Sequence, residues 1–138
     1  MIDKQDKKAS KKSPSEISLF NIELYSINGQ QLKCDMTKRS FALSRSNSLD
    51  IFEINDKMLK IKLSEKLFFK PEGPFRLDFD IIGTFDLSKP ILEEEIKNKL
   101  EELSDPLFSY ASMIIALITE RFTNLPIILP PSKTKYED

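Results

Sequence analysis

The residues of this chain that could do chemistry are a group of acids and a single thiol. Five glutamates fall in one short stretch, and the one cysteine is Cys34. The acids are Glu93, Glu94, Glu95, Glu101 and Glu102. A metal site needs acids that converge, whereas helical spacing distributes these around a solvated face. With no histidine in the chain to pair with it, Cys34 is interpreted as a small strand residue rather than a nucleophile.

The rest of the composition points away from catalysis. Histidine, the commonest general acid–base and metal ligand, is absent, and no Gly-rich phosphate loop is present. We therefore predict a protein that is not an enzyme and that binds neither metal nor cofactor. The net charge of −1 does not produce an electrostatic field that would attract the protein to nucleic acid or to a membrane. The N-terminus lacks the apolar region of a signal peptide, which predicts a cytoplasmic location.

The elements that would position any site form one domain. Residues 1–15 hold five lysines and almost no apolar residues, which predicts a disordered basic tail that serves solubility rather than RNA contact. Residues 16–131 form the predicted domain, and residues 132–138 form a short C-terminal tail.

The clearest pattern lies between Leu59 and Leu87. Apolar residues occupy odd positions on both sides of Pro71-Glu72-Gly73-Pro74, while lysines precede this turn and aspartates follow it at even positions. This pattern predicts a β-hairpin with one dry face and one wet face, on which lysines face aspartates. Gly83 in mid-strand predicts a bend or a close backbone approach.

The N-terminal half is less regular. Residues 20–25 alternate as a strand, and Asn28-Gly29 then fits either a tight hairpin or a bulge within one long strand over residues 20–36. Residues 37–47 are predicted to be a crossover or an irregular strand, and residues 49–54 a short strand.

Two helices follow. Ser88 is the predicted cap of the first, with Pro90 in its first turn. The second is predicted from about Pro106 to Phe122, with Asp105 as its cap. Its apolar residues surround the helix, yet it is too short for a bilayer, which needs about 20 apolar residues. Partner subunits are its expected cover. Strands followed by helices indicate an α+β fold.

Three of the ten phenylalanines do not fit the regular spacing of apolar residues that predicts the core. They are Phe41, Phe68 and Phe108. Exposed apolar residues of this kind mark an interface or a peptide groove. The alternative is that they fill the core or a subunit seam.

Three elements carry a family resemblance. They are Ile82-Gly83-Thr84-Phe85, then Pro106-Leu107-Phe108-Ser109-Tyr110-Ala111 opening the long helix, then Leu125-Pro126-Ile127-Ile128-Leu129-Pro130-Pro131. This succession resembles the SecB export-chaperone family. The resemblance implies a four-stranded antiparallel sheet with two C-terminal helices on one face, assembled as a dimer of dimers. It also implies ATP-independent holding of unfolded polypeptides or preproteins in hydrophobic grooves.

The resemblance also suggests site residues. Family members line the groove from the crossover, the second strand and the long helix, which by position gives Phe41, Leu43, Ile51, Phe108 and Met113.

The family's contact with the translocase motor ATPase is an acidic patch, and Asp78 matches its acid on the fourth strand. Arg76 stands where an apolar residue is usual, and Asn28 and Lys33 stand near the positions of strand-one acids. These departures argue against the motor as a partner. An export factor and a chaperone dedicated to one client, such as an antitoxin, both fit, as does an oligomeric adaptor or structural protein.

Overall fold

A computed structural model describes residues 16–32, 42–70, 73–123 and 127–129. Within these residues, four strands precede two helices. The elements are β1 (Ile17–Gln31), β2 (Ala42–Ile54), β3 (Met58–Lys70), β4 (Phe75–Leu87), α1 (Glu93–Asn98) and α2 (Leu100–Thr123). The strands pair antiparallel in the order β1-β4-β3-β2, so the predicted α+β fold is confirmed. The predicted tails lie outside the described residues, as does Cys34.

The predicted hairpin of β3 and β4 forms the centre of the sheet. Its odd-numbered apolar residues lie on the face that packs against α2, and most of them are completely buried. They include Leu59, Ile61, Leu63, Leu67, Phe75, Leu77, Phe79, Ile81 and Phe85. This face, together with the inner side of α2, is the core, because a period of two places successive apolar residues on one side of a strand.

The predicted close approach at Gly83 is confirmed. A Cβ atom at this position would lie 2.6 Å from Cδ1 of Leu107, a fully buried residue of α2. The helix therefore rests directly on the backbone of β4, which only glycine permits at this spacing.

β1 is one long strand with bulges, so the tight hairpin at Asn28-Gly29 is wrong for the described part of this segment. Register shifts occur between Leu19 and Asn21 and between Leu24 and Ser26. The strand pairs with β4 from Ile17 to Gln31, which leaves residues 28–31 no freedom to turn back.

β2 covers the predicted short strand and part of the segment that was predicted to be a crossover or an irregular strand. It starts at Ala42, so the strand alternative is confirmed for residues 42–47, where polar residues hide the alternation. The apolar residues of this strand change phase between Ile51 and Ile54, because a bulge lies between Ile51 and Glu53.

Both predicted helix starts are wrong. Leu92 occupies the N-cap of α1, while the Ser88 amide donates to Glu16 O and ties the chain to β1. α2 already begins at Leu100, so Asp105 and Pro106 lie inside it. Pro106 lacks the N–H that would reach the carbonyl of residue 102, and that residue is exposed to water, so the helix tolerates the loss.

Candidate functional site

The helix-facing side of edge strand β2 carries a row of half-buried apolar residues. Leu43, Leu49 and Ile51 lie on this side and pack against the margin of the core. A depression of about 480 Å³ opens beside Leu49; it is also lined by Lys97, Asn98, Leu100 and Glu101. The two helices therefore leave the β2 side of the sheet partly open.

A buried ion pair interrupts this row. Arg45 of β2 holds Glu65 of β3 with two hydrogen bonds, Nε to Oε1 at 3.0 Å and Nη2 to Oε2 at 2.8 Å, and both side chains are fully buried. The neighbouring Asn47 has a buried Nδ2 that finds no hydrogen-bond partner among the described residues. A charge pair of this geometry is strong while it is intact, and loss of either member leaves an unpaired charge in the core.

Sequence reasoning missed this pair. The available signal was Glu65, which continues the odd, apolar phase of β3 between Leu63 and Leu67. An acid in a core phase requires a buried cation, since charges are almost never buried unpaired. Arg45 is this cation, and it lies among serines in the segment that was predicted to be a crossover or an irregular strand.

The outer side of α2 exposes an apolar stripe. Met113 and Leu117 are 56% and 53% exposed, and their spacing of four residues places them on one face. The opposite side of the helix, with Leu107, Ala111 and Ile115, is fully buried against the sheet. The chain therefore covers one side of this apolar helix and leaves the other side open.

Residues 127–129, which we name the strap, lie along α2. Thr119 Oγ1 accepts a hydrogen bond of 2.8 Å from the Ile127 amide, and Ser112 Oγ donates one of 2.8 Å to the Leu129 carbonyl. The side chains of Ile127 and Leu129 pack against the core, whereas Ile128 is 74% exposed. The strap is thus an extended apolar segment bound to the helix.

The edge strand β1 is the most exposed apolar element. Leu19, Leu24 and Ile27 are each about two-fifths exposed and lie in register with helix-facing residues of β4. β4 pairs with one long margin of β1, and in the described part of the chain no strand lies beside the other margin. Unpaired margins of this kind pair readily with another chain.

The outer face of the sheet, opposite the helices, has an aromatic pair that spans its width. Tyr25 of β1 and Phe52 of β2 both sit at bulges, and their ring centroids are 5.5 Å apart with an edge-to-face geometry. Lys62 Nζ lies 5.5 Å from the Phe52 centroid. Ile82, which sits between these strands on the same face, is almost completely buried.

The predicted partner residue Asp78 also lies on this outer face. It is half-buried and stands in register with Asn28 of β1 and Lys66 of β3. Together with Arg76 these residues line a groove of about 460 Å³. The predicted lysine–aspartate facing thus occurs at Lys66, although within the described segments Lys66 forms no ion pair with Asp78 inside 4.0 Å.

The predicted groove residues fall into three groups. Leu43 and Ile51 lie together on β2, and Met113 lies on the exposed stripe of α2. Phe108 is 3% exposed, so the alternative that it fills the core is confirmed; it lies with Leu107 and Ala111 on the side of α2 that faces the sheet. Phe41 lies outside the described residues.

In the described part of the chain, no group of three or more histidine, cysteine, aspartate or glutamate side chains could hold a metal ion. None of the helices in the same part combines the length and the apolarity needed to cross a membrane.

Comparison of the sequence with protein families and with curated proteins gives no match. Solved structures do match. A SecB-like chaperone of Mycobacterium tuberculosis, solved in complex with a ChAD peptide from the HigA1 antitoxin, aligns with a TM-score of 0.67 and 16% identity over 93% of this chain and 96% of its own. A protein of unknown function from Streptococcus agalactiae aligns with a TM-score of 0.54 and 11% identity over 83% of this chain and 97% of its own. The chain has the fold of a SecB-like chaperone.

Proposed function

We propose that this protein is an ATP-independent chaperone that holds unfolded polypeptides on its apolar surfaces. The observation that carries the proposal is the fold, which matches a SecB-like chaperone over nearly the whole length of both chains. Three apolar surfaces of the single chain support it. They are the β2 row with its depression, the Met113 and Leu117 stripe, and the margin of β1.

Such surfaces can hold a client without chemistry. An extended, unfolded segment gains about 25 cal/mol for each Å² of apolar surface that it buries, and no nucleotide is needed for this gain. Leu43, Ile51 and Met113 are our proposed contacts, and Phe108 contributes only to the core beneath them. In this proposal the protein is not an enzyme, and it acts in the cytoplasm.

We propose that the working form is an oligomer, a dimer of dimers. The unpaired margin of β1 carries Leu19, Leu24 and Ile27, which together would give a second copy both hydrogen-bonding groups and apolar contacts. Part of the exposed α2 surface would be covered by the same assembly.

A chaperone dedicated to one client is the favoured form of this proposal. The M. tuberculosis chaperone was solved with a peptide from an antitoxin, and an antitoxin is the client class that we propose first. Preproteins for export are the second class. Asp78 is the proposed contact for a translocase motor ATPase, but Arg76 beside it reduces the negative charge that such a contact would use.

The test is suppression of aggregation in the absence of ATP. A chemically denatured substrate is diluted into buffer with an equimolar amount of this protein, and light scattering is followed. We expect scattering to fall by at least half. Unchanged scattering at stoichiometric protein would contradict the proposal.

Met113→Asp locates the client surface. Because Met113 is exposed on α2, the substitution should weaken client binding about tenfold and leave the fold intact. Ser109→Asp, one turn earlier at another exposed position, is the matched control and should bind like the wild type. If Met113→Asp instead dissociates the oligomer, Met113 belongs to a subunit seam.

An oligomeric adaptor or structural protein is the competing proposal, since a fixed seam would also expose apolar residues in a single chain. Size-exclusion chromatography with and without unfolded peptides separates the two. A chaperone should take up several unrelated peptides, whereas an adaptor should elute unchanged.

A further inference from the structure

The surface beneath the strap is built for a main chain to approach closely. Ser112, Ala116 and Thr119 recur at intervals of four and three residues, so they share one face of α2, and all three are small. Met113 and Leu117 follow Ser112 and Ala116 in sequence and place the exposed apolar stripe beside this face. Small side chains next to large apolar ones let the strap approach the helix closely, and we call this surface of Ser112, Ala116 and Thr119 the channel.

The hydrogen bonds of the strap involve its main chain alone. Thr119 is completely buried; its hydroxyl donates to the Ile115 carbonyl at 2.6 Å and accepts from the Ile127 amide. Ser112 supplies a donor to the Leu129 carbonyl. The helix thus presents one acceptor and one donor about two turns apart. Any extended segment could satisfy both groups, whatever its side chains.

The side chains of the strap follow the period of an extended peptide. Ile127 and Leu129 face the protein and Ile128 faces outward. Recognition of extended peptides combines main-chain hydrogen bonds, which give affinity, with apolar contacts to alternate side chains. The strap is bound in this manner, and its composition is that of an unfolded, apolar client segment.

We propose that this channel on α2 is a binding site for extended apolar polypeptide, and that the strap is its internal occupant, which a client must displace. The inference rests on the proposed holding function and deepens it, because it names the ligand as an extended main chain with alternate apolar residues. It also gives the site a regulator, since release of the strap raises the affinity for a client.

The test uses the full-length chain with the strap unfastened. Ile127→Asp/Leu129→Asp places charges at the two inward positions and leaves the helix surface unchanged. Ile128→Asp is the matched control, because it adds the same charge at the exposed position of the same segment. The probes are a fluorescent peptide that copies residues 125–131 and a denatured substrate. Fluorescence anisotropy gives both affinities.

We expect the double variant to bind both probes at least tenfold more tightly than the wild type, and the Ile128→Asp control to bind like the wild type. Equal binding of the denatured substrate to double variant and wild type, with no binding of the peptide, overturns the inference and leaves the holding function intact. Binding of the peptide alone, with no substrate bound by any form, keeps the channel as a site for the strap but refutes the holding function and with it the competition.

Circular dichroism checks that the double variant folds. If it does not, the double variant Ser112→Ala/Thr119→Val is the second test, because it removes the two hydroxyls and keeps the apolar contacts. Hydrogen exchange of the Ile127 amide should then be about tenfold faster than in the wild type. An unchanged exchange rate would show that these hydroxyls do not fasten the strap and would overturn the inference.

Discussion

β3 and β4 differ from β1 and β2 in what lies on either side of them. Each inner strand has a strand on both margins and the helix above it, and its helix-facing apolar residues are almost fully buried. Each edge strand has one margin beside which the described segments place no strand, and its apolar residues on the same face are half-buried or exposed. The inner pair is complete within one chain, whereas the edge pair leaves apolar surface to be covered by something else.

This difference indicates that the inner strands contribute mainly to stability, whereas the edge strands supply surface for recognition. Burial that is complete in the single chain contributes to folding, and apolar surface that remains exposed is available for binding. Four substitutions test the division, and they are ordered by the expected loss in the free energy of unfolding.

The largest effect is expected at an exception to the division, because Arg45 lies on an edge strand but is fully buried. Arg45→Ala leaves Glu65 charged and unpaired in the core, which should cost about 3–5 kcal/mol in urea denaturation. Lys66→Ala on β3, an exposed lysine, is the control and should cost less than about 0.5 kcal/mol. The double variant Arg45→Met/Glu65→Leu should recover most of the loss; no recovery would mean that packing rather than charge is responsible.

Gly83→Ala compares an inner strand with an edge strand. Its new Cβ would lie 2.6 Å from the buried Leu107 side chain, so α2 must move, and we expect a loss of about 1–3 kcal/mol in thermal denaturation. Gly29→Ala on β1 is the matched control. Its Cβ would meet the tip of the Phe122 ring at 2.9 Å, and this half-buried ring near the end of α2 should move at lower cost than the fully buried Leu107. Equal losses at the two glycines would contradict the division.

Tyr25→Ala tests whether an edge residue stabilises the single chain. It removes the edge-to-face pair with Phe52, worth about 0.5–1.5 kcal/mol, and exposes Ile82. Phe20→Ala, at the other bulge of β1 and 68% exposed, should change the free energy of unfolding by less than about 0.5 kcal/mol. Urea denaturation measures both. If Tyr25→Ala lowers the free energy of unfolding no more than Phe20→Ala does, the aromatic pair does not stabilise the fold.

The smallest effect on unfolding is expected from Leu24→Lys. The residue is exposed on β1, so the isolated chain should lose less than about 0.5 kcal/mol. In the proposed assembly the lysine would fall at a subunit contact, and analytical ultracentrifugation should show a smaller species. Glu23→Lys, which faces the outer side of the same strand, should leave the sedimentation unchanged. Unaltered sedimentation of Leu24→Lys would place the contact elsewhere.

The sequence was sufficient to predict the inner strands and the fold class. The strict alternation from Leu59 to Leu87 has no competing interpretation, and Gly83 was assigned its close approach correctly. The edge strands were harder. A bulge reverses the phase of a strand, and β1 and β2 contain three register shifts between them. Arg45 and Asn47 on the inner face of β2 hid its alternation further.

The candidate site was predicted only in part, because apolar residues alone do not reveal which of them a single chain covers. Met113 and Phe108 belong to the same helix and have similar hydrophobicity, yet one is exposed and the other is in the core. The helix predicted from Pro106 to Phe122 contained both residues, and apolar residues on every side of it gave no sign of which side the sheet covers. Pro106 had also suggested a start six residues too late. The strap could not be predicted, since its two hydrogen bonds connect segments with no sequence pattern in common.

The order of strands across the sheet has a consequence during protein synthesis. β1 leaves the ribosome first, but β4, to which it hydrogen-bonds, follows only about 45 to 70 residues later. Throughout that interval the nascent chain exposes Leu19, Leu24 and Ile27, because the strand with which β1 pairs has not yet been made. A protein that we propose to protect others is itself, at birth, a candidate for the same protection by copies already made.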